Sequence, residues 1–105
     1  MNAQLKKGLL DVCVLSVLSR GDSYGYQILK DLAPYVDVSE STLYPILRRL
    51  EAGHLVVVHS VEHEGRLRKM YAITNAGKAQ ILDFLDDWKE LQRIYRYIEE
   101  GVAHE

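Results

Sequence analysis

The sequence predicts a mainly α-helical fold with one small β-hairpin and a long closing helix. Three observations predict it. Apolar residues recur at helical spacing in four segments of the 105-residue chain. One run, LVVVHSVEHEGRLRKMYAI, is rich in strand formers and divides at Glu64–Gly65, a two-residue hairpin turn. After Thr74, apolar positions alternate at spacings of three and four through three heptads.

The first helix is expected from about Gln4 to Ser19. Leu5, Leu9, Val12, Cys13, Ser16 and Leu18 make one face, while Leu10, Val14, Leu15 and Val17 make the other side apolar too. A helix apolar on nearly all sides must be covered on nearly all sides. One small domain covers only part of it, so a partner chain is implied. Gly21 stands where a left-handed cap ends such a helix. Asp22 or Ser23 is then expected to cap a second helix, YGYQILKDLA, with Ile28, Leu29 and Leu32 inward and Pro34 as its stop.

The stretch VSESTLYPILRRLEAGHL, Val38–Leu55, reads as a third helix with Ser39 as N-cap and Glu40 favourably placed in its first turn. Leu43, Ile46, Leu47 and Leu50 are spaced to face a core. Ser41, Thr42 and Tyr44 occupy the front turns, where hydroxyl and phenol groups can reach base edges or phosphates. Pro45 removes a backbone donor and should loosen or bend the helix start. Gly53 is read as its stop.

In the hairpin, the Glu64–Gly65 turn pairs His63 with Arg66 and Val58 with Tyr71. Val56, Val58, Tyr71 and Ile73 then share a core face, and Arg66, Leu67 and Arg68 lie towards the tip. Thr74 caps the last helix, which extends to roughly Val102. Its seam is Ile81, Phe84, Trp88, Leu91, Tyr95, Ile98 and Val102, a pattern that argues for helix pairing between chains. Leu82, Leu85, Ile94 and Tyr97 widen the stripe and would offer a surface for the partner's first helix.

Composition limits the function classes without choosing one. The chain is 48 % hydrophobic and 27 % charged, as in ordinary soluble domains, and its net charge of −2 gives no overall basic excess. Residues 1–73 hold nine Lys/Arg against eight Asp/Glu, whereas residues 74–105 hold four against seven. The acidic last segment should therefore avoid phosphate. A single cysteine, Cys13, excludes an internal disulfide and reads as a small buried hydrophobe. No signal peptide or membrane-length apolar run is visible, which fits a reducing cytoplasm.

A capped helix followed by a hairpin with a basic tip is the outline of a winged helix-turn-helix, whose recognition helix enters the DNA major groove. The expected division is a winged helix-turn-helix over residues 1–73 and a dimerisation helix over residues 74–105. YGYQI at Tyr24–Ile28, STLYPILRRLEAGHL at Ser41–Leu55, and GRLRKMYAIT followed by Gly77 resemble the PadR family of bacterial transcriptional regulators. The order and spacing match from about residue 8 to residue 78. The single-helix tail is similar to the family's short-form members, which dimerise through it. The family often has two adjacent aromatics after the wing's basic pair; here Met70 stands in the first place, before Tyr71, a change read as a packing variant.

The residues assigned to DNA are Tyr26, Ser39, Ser41, Thr42, Tyr44, Arg48, Arg66 and Lys69. Most of these have a plainer reading. Ser41 and Thr42 could simply cap and solvate a surface helix, and Tyr44 could be half-buried against the second helix. Gly25 and Tyr26 are similar to family positions near the DNA backbone, though Tyr26 could be core. The basic tip could merely guard an edge strand, and Lys6 and Lys7 read better as a solvated terminus than as phosphate contacts. His59 and His63 share a strand face but stand ~13 Å apart, too far for one ion, and no cysteine or carboxylate completes a metal site. No nucleophile–base pair, carboxylate dyad or phosphate-cradling glycine loop points to an enzyme, and no cofactor is implied.

Trp88, with Phe84 and Tyr95 as neighbours, reads either as dimer packing or as the aromatic wall of a site for a planar small-molecule effector. The family resemblance supports such sensing at the dimer interface. The expectation is a homodimeric, ligand-responsive repressor that binds palindromic double-stranded DNA and has no membrane segment. A winged-helix module that binds protein instead of DNA is the alternative.

Overall fold

The computed structural model describes the backbone of residues 3–104 and side chains from Gly8 to His104. Leu5, Lys6 and Lys7, assigned roles above, lie outside the described side chains. Four helices and one hairpin follow in the expected order: α1 (Ala3–Ser19), α2 (Gly25–Leu32), α3 (Glu40–Ala52), β1 (Val56–His63), β2 (Arg66–Ile73) and α4 (Asn75–Ala103).

One apolar cluster organises α1 to α3 and the base of the hairpin. Leu10, Val14, Leu15 and Leu18 of α1 meet Ile28 and Leu32 of α2, and Leu43, Ile46, Leu47 and Leu50 of α3. Val56 and Tyr71 close it from the hairpin. Val12 and Val17 of α1 are also buried, whereas Leu9, Cys13 and Ser16 are half-buried along a groove between α1 and the start of α4. Burial pushes the Cys13 thiol above its ordinary pKa, so it stays protonated and packs as an apolar group.

The hairpin has the expected register, from Val56 opposite Ile73 to His63 opposite Arg66. Both turn residues have positive φ, 51° at Glu64 and 76° at Gly65, as a type I′ turn requires to match the twist of its strands. Outside the turn, one cap assignment differs from expectation. Tyr24, and neither Asp22 nor Ser23, is the N-cap of α2, and it makes no side-chain cap bond. Ser23 instead bridges β2, exchanging backbone hydrogen bonds of 2.7 and 3.1 Å with Tyr71. At the end of α3, Gly53 is the C-cap with φ −84°, while His54 takes the left-handed conformation at φ 60°. The cap closes through Leu55 N–H donating to the Leu50 carbonyl.

Ser39 caps α3 as expected, its hydroxyl accepting from the Thr42 N–H. The helix is continuous through Pro45, from Glu40 to Ala52. The absent N–H belongs to the exposed front turns, where water can satisfy the carbonyl it would have paired.

The start of α4 is locked to the winged unit. The Thr74 hydroxyl donates to the His54 carbonyl at 2.8 Å and accepts from the Gly77 N–H at 3.1 Å. Gly77 is buried so tightly that a Cβ there would meet the Leu55 carbonyl oxygen and lie 2.6 Å from Ile73 Cγ1. Ile81 packs on the core and Phe84 lines the α1 groove, so the first seam residues are partly covered by their own chain. Beyond them α4 extends with its apolar residues exposed, Trp88 to Val102 among them. Its 29 residues span ~43 Å at 1.5 Å per residue. The radius of gyration is 16.7 Å, against ~13 Å for a compact domain of this size.

Gly77→Ala should therefore destabilise the fold by about 1–3 kcal/mol through overpacking, although alanine is the better helix former. A urea midpoint equal to or above that of the wild type would show that the junction yields.

Candidate nucleic-acid interface

Tyr24, Gly25 and Tyr26 at the start of α2, Tyr44 on α3, and Arg68, Lys69 and Tyr71 on β2 line one cleft of about 550 Å³. A glycine makes this convergence possible. A Cβ on Gly25 would lie 2.6 Å from the Tyr44 hydroxyl oxygen and 3.0 Å from Cζ, so the phenol rests directly on the α2 backbone. Tyr44 thus rests the end of its ring against the second helix, as in the plainer of its two readings, yet it is exposed, with 40 % of its surface open. The packing tyrosine and the outward-facing tyrosine are one residue.

Tyr71 lies beneath the cleft. Burial, followed by the neighbouring Tyr44 and Glu51, pushes its phenol above the ordinary tyrosine pKa, while Arg48 acts in the opposite direction. The ring therefore remains neutral at physiological pH. Tyr26 is 61 % exposed on the rim, which removes the reading of it as core. The Lys30 ammonium lies 5.5 Å from its ring centroid.

The front of α3 carries a small hydroxyl network. Ser39 Oγ lies 2.9 Å from Ser41 Oγ and donates to Thr42 Oγ1 at 3.1 Å. All three groups are exposed, so the cap that fixes the helix start also presents hydroxyls to solvent. The two arginines of this helix divide. Arg48 is exposed, whereas Arg49 turns back to form an ion pair with Asp11 of α1, joining α3 to the first helix. Sequence reading missed this pair because its members lie 38 residues apart, with no local spacing to announce it.

On the wing, Arg66 and Lys69 are exposed, while Arg68 is half-buried with its guanidinium 3.9 Å from the Tyr24 ring centroid. The eight assigned residues therefore come from α2, α3, the residue capping α3, and β2. Tyr26, Tyr44 and Lys69 meet at the cleft. The aromatic group on α4 is less concentrated. Phe84 and Trp88 stack with centroids 6.1 Å apart at 17°, but the Tyr95 hydroxyl donates to Glu99 at 3.2 Å, nearly two turns further on. Among the described residues there is no cluster of three metal-ligating side chains, and no helix is long and apolar enough to cross a membrane.

Three core-packed helices, a hairpin wing and an aromatic-basic cleft between them define a winged-helix fold. Residues 14–83 match the transcriptional regulator PadR-like family, and the chain belongs to it. The chain is 39 % identical to transcriptional regulator Rv3488 of Mycobacterium tuberculosis, over 64 % of this chain and 60 % of that one. An X-ray structure of a PadR-like transcription factor from Bacteroides fragilis is 33 % identical, covers 91 % of this chain and 95 % of its own, and aligns with TM-score 0.82. The Bacillus subtilis negative transcriptional regulator PadR is 27 % identical over 73 % of this chain and 45 % of its own. Its structure in complex with operator DNA shares the fold at TM-score 0.69 and 24 % identity, over 73 % of this chain and 46 % of that one.

Displacing the Tyr44 ring should be tolerated by the fold, because the group that must move is the far end of a side chain. Gly25→Ala and Tyr44→Ala are expected to keep cooperative unfolding but to weaken duplex DNA binding by ~1–3 kcal/mol each. Unchanged gel-shift affinity in both variants would place the DNA-reading surface elsewhere.

Proposed function

We propose that this protein is a homodimeric repressor that binds a palindromic operator, with α3 in the major groove and the wing on the flanking backbone or minor groove. The observation that carries this reading is the convergence of exposed Tyr26, Tyr44 and Lys69 on one cleft beside the hydroxyl-bearing front of α3. Hydroxyls and phenols at the front of α3 suit base edges and phosphates, and Arg48, Arg66 and Lys69 supply the charge. The division proposed is a DNA-binding unit over residues 1–73 and a dimerisation helix over residues 74–105. The Bacillus subtilis relative is a negative transcriptional regulator solved with operator DNA, which supports repression.

If Arg66 contacts phosphate, Arg66→Ala weakens binding to every duplex. It should also lower the slope of log affinity against log salt by about one unit. A loss confined to one sequence, with the slope unchanged, would make Arg66 a reader of bases or shape. No salt-dependent affinity for any duplex in the wild type would favour a protein-binding wing instead.

The second copy is argued from α4. Trp88, Leu91, Ile94, Tyr95, Ile98 and Val102 are 41–68 % exposed in one chain, a longer apolar stripe than single surface residues explain. A two-fold axis through paired α4 helices would place the two α3 helices one DNA turn, ~34 Å, or a multiple apart. Leu91→Asp would bury a charge in that seam and should yield a folded monomer without affinity for a palindrome. A dimer that survives dilution in sedimentation would locate the interface elsewhere.

The effector reading places a planar aromatic ligand between the two α4 helices, against stacked Phe84 and Trp88 and with Tyr95 from the same stripe. Induction then requires tighter binding to the DNA-free form, because equal affinity for two states shifts neither. Aromatic dyes should quench the single tryptophan saturably and weaken operator binding. Quenching without any change in operator affinity would reduce Trp88 to packing.

A further inference from the structure

A two-stranded ribbon is barely stable alone, so the wing depends on its attachments to the helices. Tyr71 gives both backbone groups to Ser23 and buries its ring in the core. Nearer the tip, the flat guanidinium of Arg68 covers the ring of Tyr24, the residue that starts α2. Arg68 is half-buried, whereas its basic neighbours Arg66 and Lys69 are exposed. Among the described residues none of the three forms an ion pair. Of the three, Arg68 alone lies over an aromatic ring among the described residues.

We infer that Arg68 is a positioning residue: stacked on Tyr24, it sets the angle of the wing against α2 and so aims Lys69 and Arg66. It acts on DNA through that stack and not by contact with phosphate. This assignment rests on the DNA-binding reading above, and its test has one arm that needs no DNA. Arginine suits the role because its planar cation stacks on a tyrosine face while its stem covers apolar surface.

The first arm is amide hydrogen exchange in the free protein. Tyr71 N–H bonds to Ser23 and so reports wing docking. Met70 lies opposite His59 at a ladder position bonded to β1 and reports the hairpin itself. Arg68→Ala and Tyr24→Ala should each speed exchange at Tyr71 by about two- to fivefold, the effect of losing a cation–π contact near the surface. Met70 should keep its rate, and Tyr24→Phe, which retains the ring, should match the wild type.

The second arm measures duplex binding. Arg68→Ala and Tyr24→Ala should lose affinity by the same factor, the double variant no more than either, all with the wild-type salt slope. Unchanged Tyr71 exchange in both single variants overturns the assignment whatever the DNA result. A slope lowered by about one unit in Arg68→Ala, or losses that multiply in the double variant, would make Arg68 a phosphate contact and equally overturn it. A wild type that binds no duplex would refute the DNA-binding reading itself, and Tyr71 exchange would then decide the latch alone.

Discussion

The close approach of Tyr44 to the backbone of Gly25 is the contact on which the arrangement of the functional surface depends. It is available only because residue 25 has no side chain. With the phenol seated on the α2 backbone, α3 lies near enough for the Tyr44 and Tyr71 phenols to influence each other. Tyr71 in turn ties β2 to the turn before α2 through Ser23. Two helices and the wing thus meet across side chains that are apolar inside and hydroxylated outside. In the proposed reading such residues serve packing and recognition together, and the site needs no separate scaffold.

Features with a local cause were legible in the sequence. The Glu64–Gly65 turn set the hairpin register because two positive-φ residues between strand formers leave few alternatives. Ser39 and Thr74 were identifiable as caps because their partners lie three residues ahead. Features with a distant cause were not legible. Ser23 reads as a cap until Tyr71, 48 residues later, claims its backbone. Arg49 resembles Arg48 until Asp11 draws it inward. His54, just after the Gly53 cap, occupies a conformation usually given to glycine, and nothing local in the sequence marks it.

The family motif itself acquires a physical basis. Gly77 recurs in the resemblance as part of a helix-start pattern, and here its hydrogen atom occupies the space between the Leu55 carbonyl and Ile73. The glycine in YGY does the same for Tyr44. Both glycines permit close approach, and neither has a positive φ. By contrast, the outer part of α4 has exposed apolar residues that its own chain leaves uncovered. The same asymmetry appears in charge, with the acidic excess in residues 74–105 and the free cations of the wing and α3 elsewhere. A helix built this way is suited to meeting protein and poorly suited to meeting phosphate.

The central claim is that the surface formed by the start of α2, the front of α3 and the wing receives duplex DNA. Amide chemical-shift mapping tests it directly, with duplex selected from random sequence titrated into isotope-labelled protein. The account predicts saturable shifts concentrated at Tyr26, Ser41, Thr42, Tyr44 and Lys69, weakening as salt rises, with Leu91–Val102 unmoved. Shifts concentrated on α4, or no duplex recovered by selection, would contradict it.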